Sequence, residues 1–165
     1  VARELGAEVI RTPVGEIQVV QEMVAVDALI GGEGNGGVIY PAVGYARDSL
    51  TGAALILELL SKTRKPVSEI VENLPKYHSF RKKIPITNSQ QIPNMLQNAK
   101  RVLQDAGAIY FDERDGIWAK FSHGWVHVRG SNTEPIVRVM GEGKTQEDAV
   151  QLLKMSESGK ELIGH

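Results

Sequence analysis

Val128-Arg-Gly-Ser-Asn-Thr-Glu-Pro-Ile-Val-Arg-Val-Met-Gly141 joins two short runs, Trp125-Val-His-Val-Arg129 and Ile136-Val-Arg-Val-Met140, whose composition and alternation are those of strands. Residues 130–135 lie between them and supply a glycine, two hydroxyls, an amide and a proline. A turn of this kind can aim several backbone N–H groups at one point and form a small anion-binding nest. Ser131 and Thr133 add hydroxyl donors and Asn132 adds an amide. Arg129 and Arg138, one at each strand end, can fork onto a phosphate held over the bend. The plainer alternative is a tight connection whose Ser131 and Asn132 satisfy their own backbone.

Outward from this hairpin, residues 77–165 read as one α+β domain. Gln91 to Ala106 puts Ile92, Met95, Leu96, Ala99, Val102 and Leu103 on one helix face, and Gly107 stops it. Ala108 to Phe111 and Ile117 to Phe121 read as strands joined by Asp112-Glu-Arg-Asp-Gly116, with Trp118 on the face opposite Ile117. Thr145 and Asp148 have the form of a capping box that opens a last helix through about Leu162, weakened near its end by Gly159. The expected product is a four-stranded, mainly antiparallel sheet with two helices packed on one face. Pro75 to Lys83 reads as a linker, with Arg81-Lys-Lys83 as a solvated basic run and Phe80 to Ile86 turning into the domain's first strand.

Residues 1–76 carry an α/β pattern. Val1 to Gly6 resembles the tail of a helix, Ala7-Glu-Val-Ile10 a short strand, and Thr12-Pro-Val-Gly15 its exit turn. Glu16 to Ala28 follows as a helix with Ile17, Val20 and Val24 on one face, then Leu29-Ile30 as a brief strand. Strand, helix and strand with short connections predict a parallel sheet. One such unit cannot cover both faces of a parallel sheet, so part of this domain is expected upstream. Ser49, behind Arg47-Asp48, is the expected N-cap of a helix to about Lys62 whose face is Leu50, Ala53, Ala54, Leu57 and Leu60. Asp48 suits the helix dipole and has capping as its plainer role, and Arg47 could reach the active cleft. Val67 to Leu74 forms a shorter helix between two prolines.

Within this half, Gly31-Gly-Glu-Gly-Asn-Gly-Gly-Val-Ile39 brings the backbone close to something. Glu33 is its only charge, and a carboxylate there can accept from two neighbouring sugar hydroxyls, while Asn35 both donates and accepts. The run does not open a helix, since Val38-Ile-Tyr40 reads as a strand, so a dinucleotide fingerprint is excluded. The alternative is a glycine turn with a solvated Glu33.

Composition narrows the partners. With 165 residues, 42% hydrophobic and 24% charged, the chain suits one domain or two small ones. A net charge of −1 argues against nucleic acid or a membrane surface as partner, so phosphate recognition must be local. No apolar run approaches the ~18 residues of a membrane span. The absence of cysteine excludes disulfides and thiolate metal sites, and is in keeping with a cytoplasmic protein. The chain opens on Val1, which is consistent with a fragment. His123 and His127 flank a hairpin and lack a third metal ligand, no Asp-rich loop suited to Mg²⁺ appears, and no serine sits in a convincing nucleophile setting with a base beside it.

The segment Arg129-Gly-Ser-Asn-Thr-Glu-Pro135 with Arg138-Val-Met-Gly-Glu142 resembles the phosphate-binding loop in the last domain of the α-D-phosphohexomutases. These include the phosphoglucomutases, phosphomannomutases and phosphoglucosamine mutases. Gly31 to Ile39 resembles the sugar-recognition loop of that family's third domain, in the right order along the chain. The resemblance runs the whole length of the chain but covers only the family's C-terminal portion. It implies an incomplete third domain at 1–76 and the C-terminal domain at 77–165. It also implies that Glu33 and Asn35 hold sugar hydroxyls, and that Arg129, Ser131, Asn132, Thr133 and Arg138 hold the phosphate that is not reacting. The family's phosphoserine and the aspartates for its Mg²⁺ belong to the first and second domains and have no counterpart here. The missing N-terminal domains are thus expected partners, together with a hexose phosphate substrate, and the chain alone is expected to be inactive. The commoner family pattern has serine at the place of Asn35 and histidine at that of Gly37, a departure that bears on sugar preference. A phospho-sugar-binding module without catalysis is the other function these residues could serve.

Overall fold

Pro75 ends one unit and Lys76 begins the next in the computed structural model, which describes residues 1–131 and 133–158. In the first unit a single 3₁₀ turn, Arg3–Leu5, closes at Gly6 with φ of 75°. Ala7 to Ile10, expected as a strand, pairs with no strand among the described residues. A strand exists only where a neighbouring strand takes up its N–H and C=O groups, and here the Ala7 amide donates instead to the Ala2 carbonyl at 2.9 Å.

Helix α1 spans Glu16–Val26 and ends on Asp27, whose left-handed φ of 53° turns the chain. Its inward face is Val19 and Met23 with the expected Val20 partly buried against them, whereas the expected Ile17 and Val24 are 70% and 60% exposed. The neighbouring backbone decides this. At Gly31 a Cβ would lie 2.2 Å from the Met23 sulfur and 3.0 Å from Val19, so the glycine leaves room for both. Ile39, fully buried, completes a core of Val19, Met23 and Ile39.

The sheet beside it is formed by β1 (Gly31–Gly32), β2 (Val38–Tyr40) and β3 (Gly44–Arg47), in that order and antiparallel. The expected parallel sheet is therefore not what these strands build. Connections of a few residues return the chain beside itself, which only antiparallel pairing permits. Helix α2 (Ser49–Thr63) follows, capped by Asp48, whose carboxylate accepts from the amides of Leu50 at 2.8 Å and Thr51 at 3.2 Å. Asp48, not Ser49, is thus the cap. No residue of α2 is buried, and Leu50 stands 81% exposed. A short helix α3 (Val67–Glu72) starts behind Pro66.

The second unit has five strands where four were expected. They are β4 (His78–Pro85), β5 (Tyr110–Asp112), β6 (Ile117–Phe121), β7 (Gly124–Gly130) and β8 (Ile136–Gly143), in the order β4-β8-β7-β6-β5, each pair antiparallel. The basic run read as linker lies inside β4, which pairs with β8 from His78 to Pro85. Lysine and arginine suit this strand because it is a sheet edge, where charge discourages a further strand from pairing.

Helices α4 (Ile92–Asp105) and α5 (Gln146–Ser158) supply Leu103 and Leu152, both fully buried, to a core with Ile84, Ile117, Ala119, Phe121, Val126, Val128, Val137 and Val139. These strand residues all lie on one face by their two-residue period. The capping box forms as expected: the Thr145 amide donates to Asp148 and the Asp148 amide to the Thr145 hydroxyl, both at 3.1 Å. The expected extension of this helix through Gly159 to Leu162 lies outside the described residues. On the opposite sheet face, Trp118 stacks on Trp125 at 6.1 Å between centroids, and Tyr110 meets Trp118 edge-on at 6.3 Å. The Trp125 indole N–H donates to Glu142 at 3.2 Å.

Leu103→Ala should destabilise the second unit by ~2–5 kcal/mol, the usual cost of a cavity at a fully buried leucine. Leu50→Ala should stay within about 0.5 kcal/mol, because its side chain is already in water. Urea unfolding of both variants checks the contrast.

Candidate functional site

In the second unit, the β7–β8 hairpin carries the residues expected to hold phosphate. The Ser131 amide donates to the Ile136 carbonyl at 3.0 Å and the Ile136 amide to the Glu134 carbonyl at 2.8 Å, which closes the bend. Inside it the amides of Thr133 and Glu134 converge on the Ser131 hydroxyl oxygen, at 3.4 and 3.2 Å. The Ser131 hydroxyl thus satisfies amides of its own turn, which is the plainer of the two readings of this loop. Both bonds are at the long, weak end of the range. Asn132 lies outside the described residues.

Arg129 and Arg138 face each other directly across the two strands. Like charges so placed repel, and each guanidinium has its own carboxylate. Arg138 reaches the bend and pairs with Glu134. Arg129 turns instead toward the β5–β6 hairpin, where its Nε donates to Asp115 at 3.1 Å, with the two side chains only 16% and 22% exposed. Gly116 makes that approach feasible, since a Cβ there would stand 2.3 Å from the Val128 carbonyl oxygen. Its φ of 75° also favours glycine. His127 lies 2.5 Å through Nε2 from the Asp115 carbonyl, which can only accept, so that nitrogen carries the hydrogen. Asp115 and His127 were not among the residues the sequence singled out for phosphate, because their contact needs the hairpin to fold back onto β7.

In the first unit, the glycine loop between β1 and β2 carries the residues expected to hold sugar hydroxyls. Glu33 accepts from the Gly15 amide at 3.2 Å and from the Asn35 amide nitrogen at 3.4 Å, and the Asn35 oxygen accepts from the Gly37 amide at 3.0 Å. The two expected sugar-binding residues therefore sit together on one loop. A Cβ at Gly37 would fall 2.2 Å from the Arg47 Cδ. The stem of Arg47 thus fills the space that a side chain at 37 would need.

Arg47 is held there by Glu16, which accepts from its amide at 3.1 Å and its Nε at 2.8 Å. The Arg47 amide and then its guanidinium hold the Glu16 carboxyl below the ordinary glutamate value. The amides of Thr51 and Leu50 do the same for Asp48. Glu16 carries no motif, and its only signal in the sequence is a place at the start of α1.

Among the described residues no group of three or more His, Cys, Asp or Glu side chains could hold a metal ion, and no helix is long and apolar enough to cross a membrane.

Two family models match. Residues 1–77 match "Phosphoglucomutase/phosphomannomutase, alpha/beta/alpha domain III" and residues 82–158 match the "Phosphoglucomutase/phosphomannomutase, C-terminal domain". A phosphoglucomutase/phosphomannomutase of Thermococcus kodakarensis is 36% identical over 94% of this chain and 33% of its own length. A probable phosphoglucosamine mutase of Pyrococcus horikoshii is 35% identical over 94% of this chain and 34% of its own. The phosphoglucosamine mutase of Methanocaldococcus jannaschii is 31% identical over 98% and 35%. In fold, the chain is similar to a phosphoglucomutase/phosphomannomutase family protein of Burkholderia thailandensis, with a TM-score of 0.78 at 22% identity over 96% of this chain and 34% of that one. The chain spans about a third of the length of these relatives.

Glu16 has a lowered pKa when folded, so its support for the Arg47 contact is present above the ordinary value of 4.5 and is lost as pH falls below it. The gap in melting temperature between the wild type and Glu16→Gln should therefore close between pH 6 and about pH 3. Thermal melts across that range test this, and a gap independent of pH would refute it.

Proposed function

The chain belongs to the phosphoglucomutase/phosphomannomutase family, and from that premise we propose that it is the substrate-recognising C-terminal portion of a phosphohexomutase. Such an enzyme interconverts hexose 1-phosphate and 6-phosphate through a bisphosphorylated intermediate. One observation carries this reading: two convergent amides and a hydroxyl at residues 131–134, flanked by the opposed Arg129 and Arg138. A phosphate oxygen placed where the Ser131 hydroxyl now accepts would take up both amides. Arg138, already leaning over the bend, would meet the dianion with a planar fork. Glu33 and Asn35 would accept and donate to sugar hydroxyls, a pair of partners suited to vicinal O–H groups.

The bend reads phosphate and not sugar identity, so it would serve a phosphate at either end of the hexose. Its binding energy would orient the sugar for transfer, a contribution remote from the reacting atoms. The transfer itself would fall to the portion of the protein that its longer relatives carry beyond this match. By the family resemblance, Mg²⁺ and the aspartates that hold it would belong to that other portion.

In the full-length protein, Arg129→Ala should weaken hexose phosphate binding by ~1.5–3 kcal/mol, the scale of a hydrogen-bonded charge. Steady-state kinetics with glucose 1-phosphate would show it, and unchanged KM and kcat would count against the role. This chain alone should give no turnover of glucose 1-phosphate in a coupled assay. Measurable turnover would overturn the division of labour, whereas binding without turnover in the full-length protein would favour a phospho-sugar-binding module.

A further inference from the structure

We propose that Lys83 is a third cation of the phosphate-binding bend, and that Glu134 is a resident carboxylate which an incoming phosphate displaces. This rests on the reading of the bend as a phosphate site. The register places Lys83 of β4 directly opposite Arg138 of β8, and Arg138 directly opposite Arg129 of β7. Residues opposed in antiparallel strands share a face, so three cations stand in one row across three strands. Each adjacent pair in such a row is repulsive. Stability alone would favour opposite charges in these places, so the row calls for an anion.

The bend supplies one. Glu134 places one carboxylate oxygen 3.2 Å from the Lys83 ammonium and the other on the Arg138 guanidinium. A single carboxylate thus bridges two cations on two strands. Its grip is weak enough to exchange: Lys83, Glu134 and Arg138 are 61%, 42% and 35% exposed, and ion pairs so wetted contribute about 0–1 kcal/mol. A phosphate dianion carries up to twice the charge and one more free oxygen. It can therefore satisfy Lys83 and Arg138 together and still reach the amides of Thr133 and Glu134, which donate only to the Ser131 hydroxyl at long range. Arg129 differs, because Asp115 already holds it in a less exposed pair. The more mobile contact is therefore the Lys83–Arg138 side of the bend. The run Arg81-Lys-Lys83 is thus more than a solvated edge: Arg81 lies opposite Met140, away from the bend, while Lys83 lies beside it.

The test is titration of this chain with inorganic phosphate at constant ionic strength, read from the backbone amide shifts of Ser131, Thr133 and Glu134. Lys83→Met should raise the Kd about five- to tenfold, in keeping with loss of one exposed cationic contact. Glu134→Gln should lower it several-fold by removing the competing charge, and Arg81→Met should leave it unchanged. A Kd unmoved by Lys83→Met, or raised by Glu134→Gln, overturns the proposal while leaving the phosphate site standing. If the wild type shows no saturable shifts and Arg138→Ala makes no difference, the phosphate reading itself falls, and the displacement with it.

Discussion

The registration of β8 between β4 and β7 is the constraint on which the second unit depends. Every residue of β8 from Ile136 to Gly143 has a partner on β4, and Val137 to Gly143 have one on β7 as well. Because side chains alternate, a slip of one residue would put Val137 and Val139 into water and bring the arginine between them into the core. The burial of those valines beneath α4 and α5 therefore holds Arg138 on the opposite face. The apolar core thus aligns the cations from the other face of the sheet.

Charge balance follows from that alignment. Three cations in a row are tolerated because Glu134 and Asp115 come from two different turns to meet them. Asp115 is delivered by a hairpin pressed against β7 through Gly116 and anchored by His127, so its pair with Arg129 is comparatively protected from water. Glu134 belongs to the bend and is wetter. The same face therefore combines a less exposed ion pair with a wetter one.

The first unit is organised differently. Its core is three residues, and many apolar side chains, Leu29, Leu50 and Leu57 among them, remain 65% or more exposed. Positions are set there chiefly by polar contacts close to the backbone: Gly15 to Glu33, Gly37 to Asn35, and Arg47 to Glu16. Such contacts shape a loop at low cost in side-chain bulk, which is why glycine recurs through it. The Arg47 stem and the Asn35 side-chain oxygen both stand where a side chain at position 37 would have to go.

The sequence by itself determined the two-unit order, the antiparallel hairpin around residue 130, the capping box at Thr145 and Asp148, and the membership that its two loops announce. These rest on local chemistry: alternation, turn residues and caps act over a few positions. The tertiary structure alone decided what depends on distant partners. It chose Val19 and Met23 over Ile17 and Val24 as the buried face of α1, because a glycine thirty-odd positions into the chain leaves space for them. It turned Arg129 toward Asp115 and set Lys83 beside Arg138, because cross-strand neighbours are selected by register and not by sequence distance.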